Sequence, residues 1–71
     1  NEMTTDERMI AFGKRVREVR KAKGISQERL AEIAGIDRSY MGNIERGEKN
    51  ITLKKAYEIC DALEIEIQDL V

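Results

Sequence analysis

A chain of 71 residues with one Cys and no His has room for one domain with a modest apolar core, and it excludes a disulfide framework or a zinc site as reinforcement. Pro is absent, aromatics are limited to two Tyr and one Phe, and helix-forming residues dominate, which favours an all-α class. The net charge of −1 hides a polarised chain: all 13 Lys and Arg fall within residues 8–55, where six acidic residues leave +7, against −3 over residues 1–7 and −5 over residues 56–71. A basic block of that size suits a polyanionic partner even in a nearly neutral chain.

Asn1 and Glu2 precede Met3 and carry no weight in the reading. The first helix is expected from a cap at Thr5 or Asp6 to about Lys23, with Phe12, Val16 and Val19 spaced i, i+4, i+7 and Met9 or Ile10 near its start. Its polar side holds Lys14, Arg15, Arg17, Lys21 and Lys23. Gly24 ends it, and Ile25 is expected beneath the turn. Ser26 then caps a second helix that opens with Gln27 and Glu28 and lines up Leu30, Ile33 and Ala34 on one face. Gly35 supplies the stop, because glycine takes positive φ at low steric cost, and Asp37 caps the next helix after only Ile36. Two helices joined by a three- to four-residue turn make residues 26–47 a helix-turn-helix.

At about 100° per residue, the third helix places Arg38, Ser39, Gly42, Asn43 and Arg46 on one arc and Tyr40, Met41, Ile44 and Glu45 on the other. A guanidinium, a hydroxyl, an amide and a glycine are suited to base edges in a major groove. An amphipathic helix with a solvated polar face yields the same wheel; the tandem spacing favours the reading element. After Gly47 the segment EKNI is a loop, and Thr52 caps a fourth helix with Leu53, Ala56, Tyr57, Cys60 and Leu63 as its apolar positions. Cys60 reads as a small buried hydrophobe, since no His or adjacent cation activates it. In the tail, EIEIQDLV, Ile65 and Ile67 fit an extended turn, and Gln68 to Val71 a brief last helix.

The motif SQERLAEIAGIDRSYMGNIERG, with its flanking helices, resembles the DNA-binding domain of the phage Cro and CI repressor-like (XRE-like) helix-turn-helix family. The resemblance covers about Phe12 to Leu70, and within the family the chain looks similar to the controller proteins of restriction-modification systems, through FGKRVREVRKAKGISQERLA, DRSYMGNIERGEKNITL and ICDALEI. It implies a compact five-helix domain of the lambda-repressor-like type, binding operator DNA as a twofold dimer with its third helix in the major groove. Carried over by position, Arg38, Ser39 and Asn43 are the base-reading candidates, and Gln27, Arg46, Lys49 and Asn50 the phosphate contacts. Tyr40 is divided between an inward position and a phosphate or base contact. The resemblance also pairs Glu45, a carboxylate on the inward arc, with Arg20. Leu63, Ile65, Ile67, Leu70 and Val71 are the candidate dimer interface; the alternative is that they close the monomer core.

The expected function is therefore a sequence-specific transcription regulator acting on double-stranded operator DNA as a homodimer. A protein-interaction module, such as an antitoxin that also binds its own promoter, is the alternative; its sign is a partner-contacting extension. An enzyme is not expected, because the chain has no His, no phosphate-binding Gly loop and no metal-ligand cluster. No cofactor and no small-molecule ligand are expected. With a single Cys, no secretory segment and no 18-residue apolar run, the expected location is cytoplasmic, away from membranes.

Overall fold

The computed structural model describes residues 2–71, so Asn1 lies outside it. Its elements are α1 (Thr5–Ala22), α2 (Gln27–Ala34), α3 (Arg38–Glu45), α4 (Leu53–Leu63) and a closing 3-10 turn at Ile67–Asp69. The all-α class is as expected, but the count of five helices is corrected to four plus that turn. Only three residues take helical geometry in the tail, held between Glu66 and Asp69, whose carboxylate accepts from the Glu66 N–H at 3.0 Å. One such turn does not meet the nucleation cost of a helix without further residues to propagate it.

Local chemistry explains the boundaries. Thr4 caps α1, one residue ahead of the expected position, because Thr4 and Glu7 form a reciprocal pair: the Glu7 N–H donates to Thr4 Oγ1 at 3.1 Å and the Thr4 N–H to Glu7 Oε1 at 2.8 Å. Ser26 accepts from Arg29 N at 3.0 Å, Asp37 from Ser39 N and Tyr40 N, and Thr52 from Lys55 N at 3.1 Å. Gly35 ends α2 with φ at +70°.

Val16, Leu30, Met41, Ile44, Ile59 and Leu63 form the centre of the core. α1 packs on α3, and α2 packs on both α3 and α4. Three apolar stripes differ from the expected ones. On α2, Ala31 is buried and Ile33 is exposed. On α4, the buried set is Ala56, Ile59, Cys60 and Leu63, whereas Leu53 and Tyr57 face outward. On α1, Ile10 is exposed and Phe12 and Val19 are half-buried around a fully buried Val16. Each helix carries more apolar residues than one face holds, and its neighbours select among overlapping stripes.

Gly13 sets the spacing of α1 against the end of α3. A Cβ there would lie 2.2 Å from the carbonyl oxygen of Ile44 and 2.7 Å from that of Glu45. At Gly47, φ is +74° and a Cβ would lie 2.6 Å from Ile10 Cα. Two glycines thus let α1 press directly on the C-terminal end of α3.

Candidate nucleic-acid interface

The outward arc of α3 and the first residue of α2 form one surface. Gln27, Arg38, Ser39, Gly42, Asn43 and Arg46 line an open depression of about 350 Å³. A second depression adjoins it, lined by Arg17, Arg20, Gln27, Gly42, Glu45 and Arg46. The sequence puts Arg17 on the polar side of α1 without assigning it to a site. Its spacing of three residues from Arg20 is the signal that carries it towards α3.

Beneath this surface lies a hydrogen-bonded cluster. Arg20 Nε donates to Glu45 Oε2 at 2.7 Å and Arg20 Nη2 to Glu45 Oε1 at 3.1 Å, while Arg20 Nη1 donates to the carbonyl of Ile25 at 2.9 Å. The Arg20 and Glu45 side chains are 9% and 2% exposed. Gln27 Nε2 completes the cluster by donating to Glu45 Oε1 at 3.1 Å. Three elements therefore meet on one carboxylate: α1 through Arg20, α2 through Gln27, and α3 through Glu45 itself. A buried carboxylate with this many donors fixes its neighbours in one arrangement. Gln27 is thus a brace between α2 and α3; its second amide hydrogen and its carbonyl remain for other partners.

On the open side, Arg38 and Ser39 begin α3 and are exposed. Arg38 Nη1 lies 3.6 Å from Glu28 Oε2. Asn43 is half-buried and accepts from Arg46 Nη2 at 2.5 Å, and Arg46 Nε lies 3.2 Å from Glu48 Oε1. Tyr40 is half-buried against the core, and its hydroxyl donates to the carbonyl of Asn50 at 3.4 Å, tying the following loop to α3. Lys49 and Asn50 are exposed in that loop. The tail residues divide differently from the expected interface: Leu63 and Leu70 are buried in the core of the single chain, Ile65 and Ile67 are half-buried, and Val71 is exposed.

A row of guanidinium, hydroxyl and amide groups along a short helix, held at a set angle by a buried cluster, can hydrogen-bond to base edges and phosphates together. The profile of the helix-turn-helix family (HTH_3) matches residues 16–70, which contain both helices of the motif and the cluster beneath them. The control protein C.BamHI of Bacillus amyloliquefaciens is 39% identical over 69 residues, covering 96% of this chain and 84% of that protein. The crystal structure of the restriction-modification controller protein C.AhdI from Aeromonas hydrophila superposes with a TM-score of 0.86 at 48% identity, over 89% of this chain and 96% of that one. SinR, a master regulator for biofilm formation solved in complex with DNA, superposes with a TM-score of 0.78 at 33% identity, over 83% of this chain and 95% of that one. With the family profile spanning most of its length and the motif's geometry in place, the chain belongs to the helix-turn-helix family of DNA-binding transcription regulators.

Proposed function

We propose that this protein binds a palindromic operator as a homodimer and regulates transcription from it, as the controller of a restriction-modification system. The observation that carries the reading is the surface of α3, where Arg38, Ser39 and Asn43 line one open depression on an element braced from below by Arg20, Glu45 and Gln27. Arg38 takes guanine O6 and N7 through two guanidinium N–H groups, and Asn43, released from Arg46, takes adenine or a phosphate. Arg46, Lys49, Asn50 and the free amide hydrogen of Gln27 grip the backbone, with Arg17 extending that grip along α1. Tyr40 acts from behind by holding the loop that carries Lys49 and Asn50.

Dimerisation follows from scale. An eight-residue helix is about 12 Å long, about a third of one turn of duplex, too little to specify a site alone. Two copies related by a twofold axis put their reading helices in successive major grooves about 34 Å apart. Leu63 and Leu70 belong to the monomer core, so the interface proposed here rests on Ile65, Ile67 and Val71, widened by Leu53 and Tyr57 of α4. Leu53, Ile67 and Val71 share an apolar groove of about 530 Å³ with Met9 and Phe12 of α1, and Leu53 and Val71 are 67% and 85% exposed.

Selection of bound duplexes from a random pool tests the reading. A palindromic sequence retained by two chains supports it; the absence of any enriched sequence contradicts specific binding, and an enriched site held by one chain contradicts the dimer.

A further inference from the structure

Two carboxylates share the open surface with the arginines, and neither contributes to the core. Glu28 follows Gln27 in the first turn of α2, with Oε2 3.6 Å from Arg38 Nη1 and the two side chains 72% and 68% exposed respectively. Glu48 stands 3.2 Å from Arg46 in the same way. Exposed pairs of this kind add little to folding stability. Next to a polyanion their effect is larger, because a carboxylate deprived of its cation then faces phosphate charge.

We propose that Glu28 is a positioning residue that sets sequence discrimination through Arg38, an inference that rests on Arg38 being a base reader. On a random duplex the nearest acceptors for Arg38 are phosphates. Reaching them draws the guanidinium away from α2 and leaves Glu28 unpaired beside the backbone. On a cognate site, guanine O6 and N7 use two of the five guanidinium N–H groups, and others stay directed at Glu28. The carboxylate keeps its partner there and also restricts the angle at which the fork meets the base. Glu28 therefore weakens the random complex more than the cognate one, and discrimination rises although total affinity does not. Glu48 lies beside a backbone-gripping arginine, where its charge opposes every DNA to the same extent.

The test uses the duplex enriched from a random pool and a shuffled duplex of equal length and composition, each titrated with the parent chain, Glu28→Gln, Glu48→Gln, Arg38→Ala and the double variant Glu28→Gln/Arg38→Ala. Glu28→Gln is expected to tighten the shuffled duplex about three- to tenfold and the enriched duplex by a smaller factor, so that the ratio between them falls about threefold or more. Glu48→Gln, with the same change of charge, is expected to tighten both by one factor. In the Arg38→Ala background the effect of Glu28→Gln on the ratio disappears. Equal tightening of both duplexes by Glu28→Gln, or a change in ratio that survives without Arg38, overturns the proposal and leaves DNA binding intact. A fall in the melting midpoint beyond about 4 °C for Glu28→Gln makes the residue a structural one and also overturns it. If no duplex is enriched, the reading of Arg38 fails and the proposal with it.

Discussion

Glu45 is the residue on which the most elements depend. Its carboxylate is 2% exposed and takes donors from Arg20 on α1 and Gln27 on α2, so removing it strands a buried guanidinium. Glu45→Ala is expected to lose about 3 to 5 kcal/mol in urea-induced unfolding. The paired replacement Arg20→Met/Glu45→Leu should recover much of that, since two apolar side chains leave no buried charge behind. A loss below about 1 kcal/mol for Glu45→Ala would show the pair to be no stronger than a surface one. Across the open surface, Arg38→Ala should cost about 1 to 3 kcal/mol of discrimination at one base pair, whereas Arg46→Ala should weaken all duplexes alike and lower the salt slope by about one. Equal losses on enriched and shuffled DNA for Arg38→Ala contradict base reading. Cys60 stands apart from this chemistry: burial pushes its thiol pKa up, and Asp61, Glu66 and Asp69 add to the shift, which disfavours the reactive thiolate.

At the scale of the elements, the contact between α1 and α3 is the most demanding, because backbone approaches backbone at Gly13. Gly13→Ala is expected to cost about 1 to 3 kcal/mol, visible as a melting midpoint lowered by about 4 to 8 °C for each kcal/mol. An unchanged midpoint would show that α1 can shift away freely. The beginning of α1 carries a pH dependence of known sign. The Thr4 backbone N–H, and then its hydroxyl, hold the Glu7 carboxyl below its ordinary value. A carboxyl whose folded pKa is depressed contributes stability above its unfolded pKa and loses it as the pH falls through the folded one. Amide exchange in the first turn of α1 should therefore accelerate below the ordinary glutamate range, about pH 4, after correction for the intrinsic rate. Glu7→Gln should remove that acid sensitivity, and an unaltered profile in the variant would assign it to another group.

For the molecule as a whole, the apolar groove and the arginine-lined depression share no residue in a body that measures 33 × 21 × 20 Å. The depression on α3 is lined by Arg38 and Arg46, while the acidic residues of 56–71 belong to α4 and the tail, the segments that contribute Leu53, Ile67 and Val71 to the groove. The dimer proposed above seats a second copy on that groove, which shares no residue with the depression on α3. Leu53→Asp should convert the protein to a monomer in sedimentation equilibrium and reduce operator affinity, with the unfolding midpoint nearly preserved because Leu53 is not in the core. A dimer that persists in Leu53→Asp places the interface elsewhere.

Features that depend on neighbours within a few residues are legible in the chain alone. Ser26, Gly35, Asp37 and Thr52 mark their helix ends because a cap satisfies N–H groups two or three positions away, and a glycine turn needs only its own φ. The division of α3 into an outward polar arc and an inward apolar one follows from the helical period alone. The tertiary structure decided every choice among equivalent local options. Ala31 rather than Ile33, and Ile59 rather than Leu53 or Tyr57, face the core because the crossing of α2 with α3 and α4 selects one of two overlapping stripes. The need for glycine at position 13 arises from Ile44 and Glu45, about thirty positions away, and no local pattern contains it. Leu63 and Leu70 closed the monomer core, since the 3-10 turn folds the tail back onto it. Glu28 came beside Arg38 for the same reason: which charges share a surface is set by the angle between two helices, and that angle is fixed by the cluster buried beneath them.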